Sequence, residues 1–188
     1  MNESNLLVFV LTIVSIFIYI FAANYTSRKS GAKFTRFSFN QDFTFYFIYF
    51  TYLFAVANTL ISVINIQINL LHLILGFILI VFSIYINILA RTALAENWTP
   101  FMFSNKSQTL VETGIYSKIR HPIYLSLLLL ILGCTLISFN FSGIVAFILF
   151  CISIAFRINY EELYLIKNFN KSYIEYSKRV SRLIPHLF

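Results

Sequence analysis

The sequence predicts an all-α integral membrane protein with about five transmembrane helices, and three observations carry that expectation. Of 188 residues, 59% are hydrophobic and only 11% charged, whereas soluble domains average roughly 25% charged. Several apolar runs approach the roughly 20 residues that a helix needs to cross about 30 Å of hydrocarbon. Finally, Lys and Arg occupy alternate loops, as expected when positive charge is retained on the cytoplasmic side.

The first apolar run covers residues 6–23. No Lys or Arg precedes it, and Arg28 and Lys29 follow it. That order fits a retained membrane helix with its N-terminus outside better than a secretory leader, which has a positive n-region. A polar loop at 24–42 carries Arg28, Lys29, Lys33 and Arg36. The second span is expected at 43–64, a short turn at 65–69 and the third span at 70–89. Residues 90–121 form the longest stretch without strong apolar character. The run at 123–156 is too long for one span, and Ser138, Asn140, Ser142 and Gly143 interrupt it with turn residues. It reads as a hairpin of two short helices. The tail, 157–188, is charged and amphipathic. So little chain remains outside the spans that a single domain, 1–188, is expected.

The turns at 65–69 and 138–143 contain no Lys or Arg, unlike the loops at 24–42 and 90–121 and the tail. Five spans then place the C-terminus in the cytoplasm. The net charge of +7 is scattered between spans, which argues for contact with anionic lipid headgroups and against nucleic acid. No internal repeat supports a transporter built from inverted halves. His72 is the ionisable residue nearest mid-membrane depth, close to the outer end of the third span, where an interfacial or packing role is expected. A channel or proton relay usually carries more. Cys134 and Cys151 lie in apolar runs without metal-type spacing and read as small buried hydrophobes. No metal site is expected.

Polar chemistry gathers in two segments: Q-T-L-V-E-T-G-I-Y-S-K-I-R-H-P-I-Y at 108–124 and R-I-N-Y-E-E at 157–162. Gly114 permits a tight turn, and Pro122 suits the first turn of a helix. Arg120 and His121 precede that helix. Unpaired N–H groups and the helix dipole would favour an anionic ligand there, although the pair could equally anchor the helix to phosphates. If residues 157–162 are helical, Arg157 and Glu161 share a face. They could form a surface ion pair, or Glu161 and Glu162 could bind a cationic ligand.

In order and spacing, these segments resemble the isoprenylcysteine carboxyl methyltransferase family, within the wider group that includes phospholipid methyltransferases. The resemblance covers roughly residues 94–188. It runs through L-A-E-N-W from Leu94, T-L-V from Thr109, G-I-Y from Gly114, R-H-P-I-Y from Arg120, then Arg157 and E-E-L from Glu161. It ends with F-N-K-S-Y-I-E-Y from Phe169 and R-L-I-P from Arg182. The resemblance implies three N-terminal spans in 1–89 and a catalytic half in 90–188, with a cytoplasmic loop and a C-terminal amphipathic helix forming the cofactor pocket. It implies S-adenosyl-L-methionine as cofactor, held by Gln108, Thr109, Leu110, Val111, Tyr116, His121, Pro122, Ile123, Tyr124 and Glu161. Arg157 would face a carboxylate on a lipophilic or prenylated acceptor, and Glu161 and Glu162 complete the catalytic group. Four positions depart from the family pattern: Gln108 stands for His, Ser126 and Ala95 for Gly, and Tyr160 interrupts an acidic run. The alternatives are a phospholipid or other small-lipid methyltransferase, a sterol-type membrane reductase and a non-catalytic membrane adaptor.

Overall fold

A computed structural model describes residues 3–29, 43–65, 67, 69–98 and 109–185. Gln108, Lys33 and Arg36 lie outside the described residues. Among the described residues six α-helices follow one another: α1 Glu3–Lys29, α2 Phe43–Asn65, α3 Leu70–Leu94, α4 Pro122–Ser138, α5 Phe141–Phe169 and α6 Lys171–Arg179. Two short 3₁₀ turns, Ala95–Asn97 and Gly114–Ser117, lie between α3 and α4.

Four of these helices, α1, α2, α3 and α5, are long and apolar enough to cross a membrane, and α4 is a shorter apolar helix. Their outward faces carry exposed Leu, Ile, Val and Phe side chains, such as Phe17, Phe50, Ile78 and Leu149. Large apolar groups facing outward all along a bundle are what lipid, not water, tolerates. The protein is therefore an integral membrane protein, all-helical among the described residues.

Local chemistry sets the helix ends. The Asn69 side chain caps α3 by accepting from the amides of Leu71 and His72, and Asn140 caps α5 by accepting from Gly143. Pro122 opens α4, where its missing N–H costs nothing. Phe139 and Asn140 alone separate α4 from α5, so the hairpin forms where the turn residues indicate. Its arms are unequal, because α5 continues beyond Arg157 to Phe169. The polar residues after 157 extend the last apolar helix instead of starting a separate tail.

Glycine sets the closest helix approach. A Cβ on Gly133 of α4 would lie 2.6 Å from the Gly76 carbonyl oxygen and 2.8 Å from Ile80 Cγ1, both on α3. Small residues let backbones meet this closely where no hydrophobic force drives association within lipid. On the other side, α2 and α5 pack through Ala55, Ala146 and Phe150 and share a hydrogen bond of 3.0 Å between Thr51 and Ser153. At the far end from the polar segments, the His72 ring packs on Phe139 at 4.5 Å.

Candidate functional site

The chain after α5 folds back onto the start of α4. Ile119 and Ser181 form an isolated parallel bridge. The amides of Arg120 and His121 donate to the carbonyls of Ser181 and Arg182, at 2.8 and 3.0 Å. The tail thus takes the amides of the two residues ahead of α4, while His121 puts no side-chain cap on the first turn of the helix itself. One carboxylate locks the joint. Glu162 Oε1 accepts from Arg120 Nη2 at 2.7 Å and Nε at 3.0 Å, and from Tyr173 at 3.3 Å. His121 Nε2 lies 3.2 Å from the same oxygen, and Arg182 Nη2 lies 2.7 Å from Oε2. Arg120 Nη1 also donates to the carbonyls of Ser177 and Val180, both at 2.6 Å.

Beside this joint is a cavity of about 590 Å³, a size suited to a drug-sized ligand. Helices α1 to α5, the residues around the 3₁₀ turns and α6 all contribute to its wall. Glu161, one residue from Glu162, faces it. The Tyr124 hydroxyl donates to Glu161 Oε2 and accepts from Arg157 Nε at 3.1 Å. Arg157 is buried, 4% exposed, and its Nη1 donates to Thr44 of α2 at 2.9 Å. A cation, a phenol and a carboxylate thus form one chain on the cavity wall.

The expected site residues divide between these two places. Thr109, Leu110, Val111 and Tyr116 line the cavity, as do His121, Ile123, Tyr124, Arg157 and Glu161. Glu162 and Pro122 are not among the lining residues. Glu162, expected beside the reacting groups, is nearly buried with both oxygens engaged by the tail joint. Pro122 is buried at the start of α4. Gln108 falls outside the described residues. Burial pushes the Tyr116, Tyr173 and Tyr176 phenols above their ordinary range, and nearby Glu161 adds to this at Tyr116 and Glu162 at Tyr173. They therefore remain neutral, and two of them donate: Tyr173 to Glu162 at 3.3 Å and Tyr176 to the Tyr116 carbonyl at 2.7 Å.

Sequence reasoning did not single out Arg91 and Trp98, which also line the cavity. The Arg91 guanidinium lies 4.1 Å over the Trp98 ring. It donates to Asn87 at 2.9 Å and to Ser27 at 2.8 Å. The available signal was the four-residue spacing of Asn87 and Arg91 on one helix face. A cation at the end of a span otherwise reads as topology alone. Ser126, which looked like a mere departure from glycine, joins this network through Asn87 and Tyr19.

A bundle of apolar helices with a largely apolar cavity that carries a few polar side chains defines a class: integral membrane proteins with an internal cavity of ligand size. The chain belongs to the phospholipid methyltransferase family, whose profile matches residues 71–172. It is 34% identical over 118 residues to the protein-S-isoprenylcysteine O-methyltransferase of Saccharomyces cerevisiae, covering 61% of this chain and 49% of that protein. It is 38% identical over 82 residues to the Schizosaccharomyces pombe protein of the same name, covering 43% and 35%. The Xenopus laevis protein is 30% identical over 119 residues, covering 61% and 41%. These matches span less than half the length of each relative.

Proposed function

We propose that this protein transfers a methyl group from S-adenosylmethionine to a lipophilic acceptor, the carboxylate of an isoprenylcysteine-like molecule. We place the reaction at the cytoplasmic edge of a membrane crossed by five helices, with the N-terminus outside. The observation that carries this reading is the Arg157–Tyr124–Glu161 chain, a buried cation bridged to a carboxylate on a cavity wall. The names of the relatives support the same chemistry.

The cavity fits such a cofactor in size and in its groups: an acidic side chain for a cationic ligand, arginines for carboxylates and aromatic rings for a base. When bound, S-adenosylmethionine supplies a methyl group on a positively charged sulfur. Glu161 favours a cation beside it, and Thr109, Val111 and Tyr116 close the cavity on that side. The planar fork of Arg157 suits bidentate holding of an acceptor carboxylate. A carboxylate is already ionised at neutral pH, so the protein's task is alignment and exclusion of water, with no base required. Ile48, Tyr52 and Leu127 give the cavity an apolar wall against which a prenyl tail can lie.

The test is methylation of N-acetyl-S-farnesylcysteine by wild type and by Arg157→Lys. Lysine keeps the charge and loses the fork. We expect kcat/KM to fall roughly 30- to 1000-fold, the scale of losing a buried charged hydrogen bond, with S-adenosylhomocysteine binding unchanged. Equal turnover by the variant removes Arg157 from the acceptor site. A wild type that ignores the prenylcysteine and methylates an amine headgroup lipid moves the assignment to phospholipid methylation.

A further inference from the structure

Among the described residues three arginines line the cavity, and their partners differ. Arg120 is committed to the tail joint through Glu162 and two carbonyls. Arg157 is held between Tyr124 and Thr44, on the side of α2, α4 and α5. Arg91 lies on the side of α1 and α3, its guanidinium carbon 4.1 Å over the Trp98 ring centroid. Its Nε and Nη1 donate to Asn87 and Ser27, while its Nη2 has no hydrogen-bond partner among the described residues.

A buried polar network fixes Arg91 from behind. The Asn87 amide donates to the Tyr19 hydroxyl at 2.7 Å and to Ser126 Oγ at 3.0 Å. The two hydroxyls lie 2.9 Å apart, and Ser126 donates to the Ile123 carbonyl at 2.7 Å. Tyr19, Asn87 and Ser126 are all buried. Polar groups among apolar helices are costly unless each is satisfied. These satisfy one another, and the only charge among them is a guanidinium on the cavity wall. Stacking on an indole fixes the plane of a guanidinium while leaving its edge able to donate.

The charges of the reaction then count out. Carboxyl methylation brings two carboxylates into one cavity, one on the acceptor and one on the amino-acid end of the methyl donor. Arg120 is committed to the tail joint and Arg157 is placed with the acceptor in the reading above, so Arg91 is the arginine on the donor's side of the cavity. Trp98, which Arg91 covers, follows Asn97, and Asn97 Oδ1 accepts from the Thr109 amide at 2.9 Å. Arg91 therefore belongs to the same wall as Thr109, Val111 and Tyr116, where the donor is placed in the reading above.

We propose that Arg91, stacked on Trp98 and oriented by Asn87, binds the carboxylate of the methyl donor. This rests on the proposed methyl transfer and adds a residue to it. The test compares the affinities of two ligands for each variant: S-adenosylhomocysteine and its decarboxylated analogue, which keeps the adenosine, sulfur and amine. The ratio is internal to each variant, so a general loss of folded protein cancels. Wild type is expected to favour S-adenosylhomocysteine by about 10- to 100-fold, the range of a charge-assisted contact. Arg91→Gln should lose that preference, Arg91→Lys should keep part of it, and Arg157→Gln should keep all of it. If Arg91→Gln weakens both ligands equally, or retains the full preference, the proposal is overturned. A preference lost in Arg157→Gln and kept in Arg91→Gln exchanges the two arginines, which also overturns it. Wild type that binds neither ligand defeats the methyl-transfer reading itself.

Discussion

Glu161 and Glu162 are adjacent in sequence and do different things. A step of one residue turns an α-helix by about 100°. That rotation places Glu161 on the cavity wall with Tyr124 and Arg157, and Glu162 in the tail joint with Arg120, His121 and Arg182. One carboxylate borders space for a ligand, and the other is consumed by the protein. In an acidic pair on a helix, the face, not the charge, separates chemistry from architecture.

The largest effect expected from this contrast is on folding. Removing one partner of a buried ion pair leaves the others uncompensated, at about 3–5 kcal/mol. Glu162→Gln should therefore lower unfolding stability by about 3 kcal/mol, measured in detergent by thermal or denaturant unfolding, and should detach the tail. Limited proteolysis near Arg179 and Arg182 would report that release. A Glu162→Gln protein as stable as wild type would break the distinction between the two glutamates.

A smaller effect concerns the turn that follows α3. Ala95 has φ of 47°, the region that glycine adopts without penalty and other L-residues adopt at a cost. It occupies the position where the family pattern has glycine. Ala95→Gly should raise stability by about 0.5–1 kcal/mol, read as a higher thermal midpoint, without altering the cavity. A lower midpoint would mean that the Ala95 methyl makes contacts worth more than the strain.

The helical class and the α4–α5 turn were legible because apolar length and turn residues are local properties. The end of α5 was not. Counting apolar residues stops at Arg157, yet the helix continues, its polar positions facing the cavity and the joint. Spacing alone put Arg157 and Glu161 on one helix face; Tyr124 came only from the family resemblance, and the structure joins the three by hydrogen bonds. The tail joint was not, because the pairing of Arg120 and His121 with residues 181–182 is a long-range backbone contact with no local signature. Arg91 was hidden for another reason: a cation at the end of a span is already explained by topology. Ser126, which stands where the family pattern has glycine, is a hub of buried hydrogen bonds.

In the proposed reaction the Glu161 side of α5 binds the methyl donor. Titration calorimetry of S-adenosylhomocysteine into wild type, Glu161→Gln and His72→Ala tests it most directly. Wild type is expected to bind measurably, Glu161→Gln to bind about 10- to 100-fold more weakly and His72→Ala, whose ring packs on Phe139 at the far end of the bundle, to bind as wild type does. Wild-type affinity in Glu161→Gln, or an equal loss in His72→Ala, would contradict it.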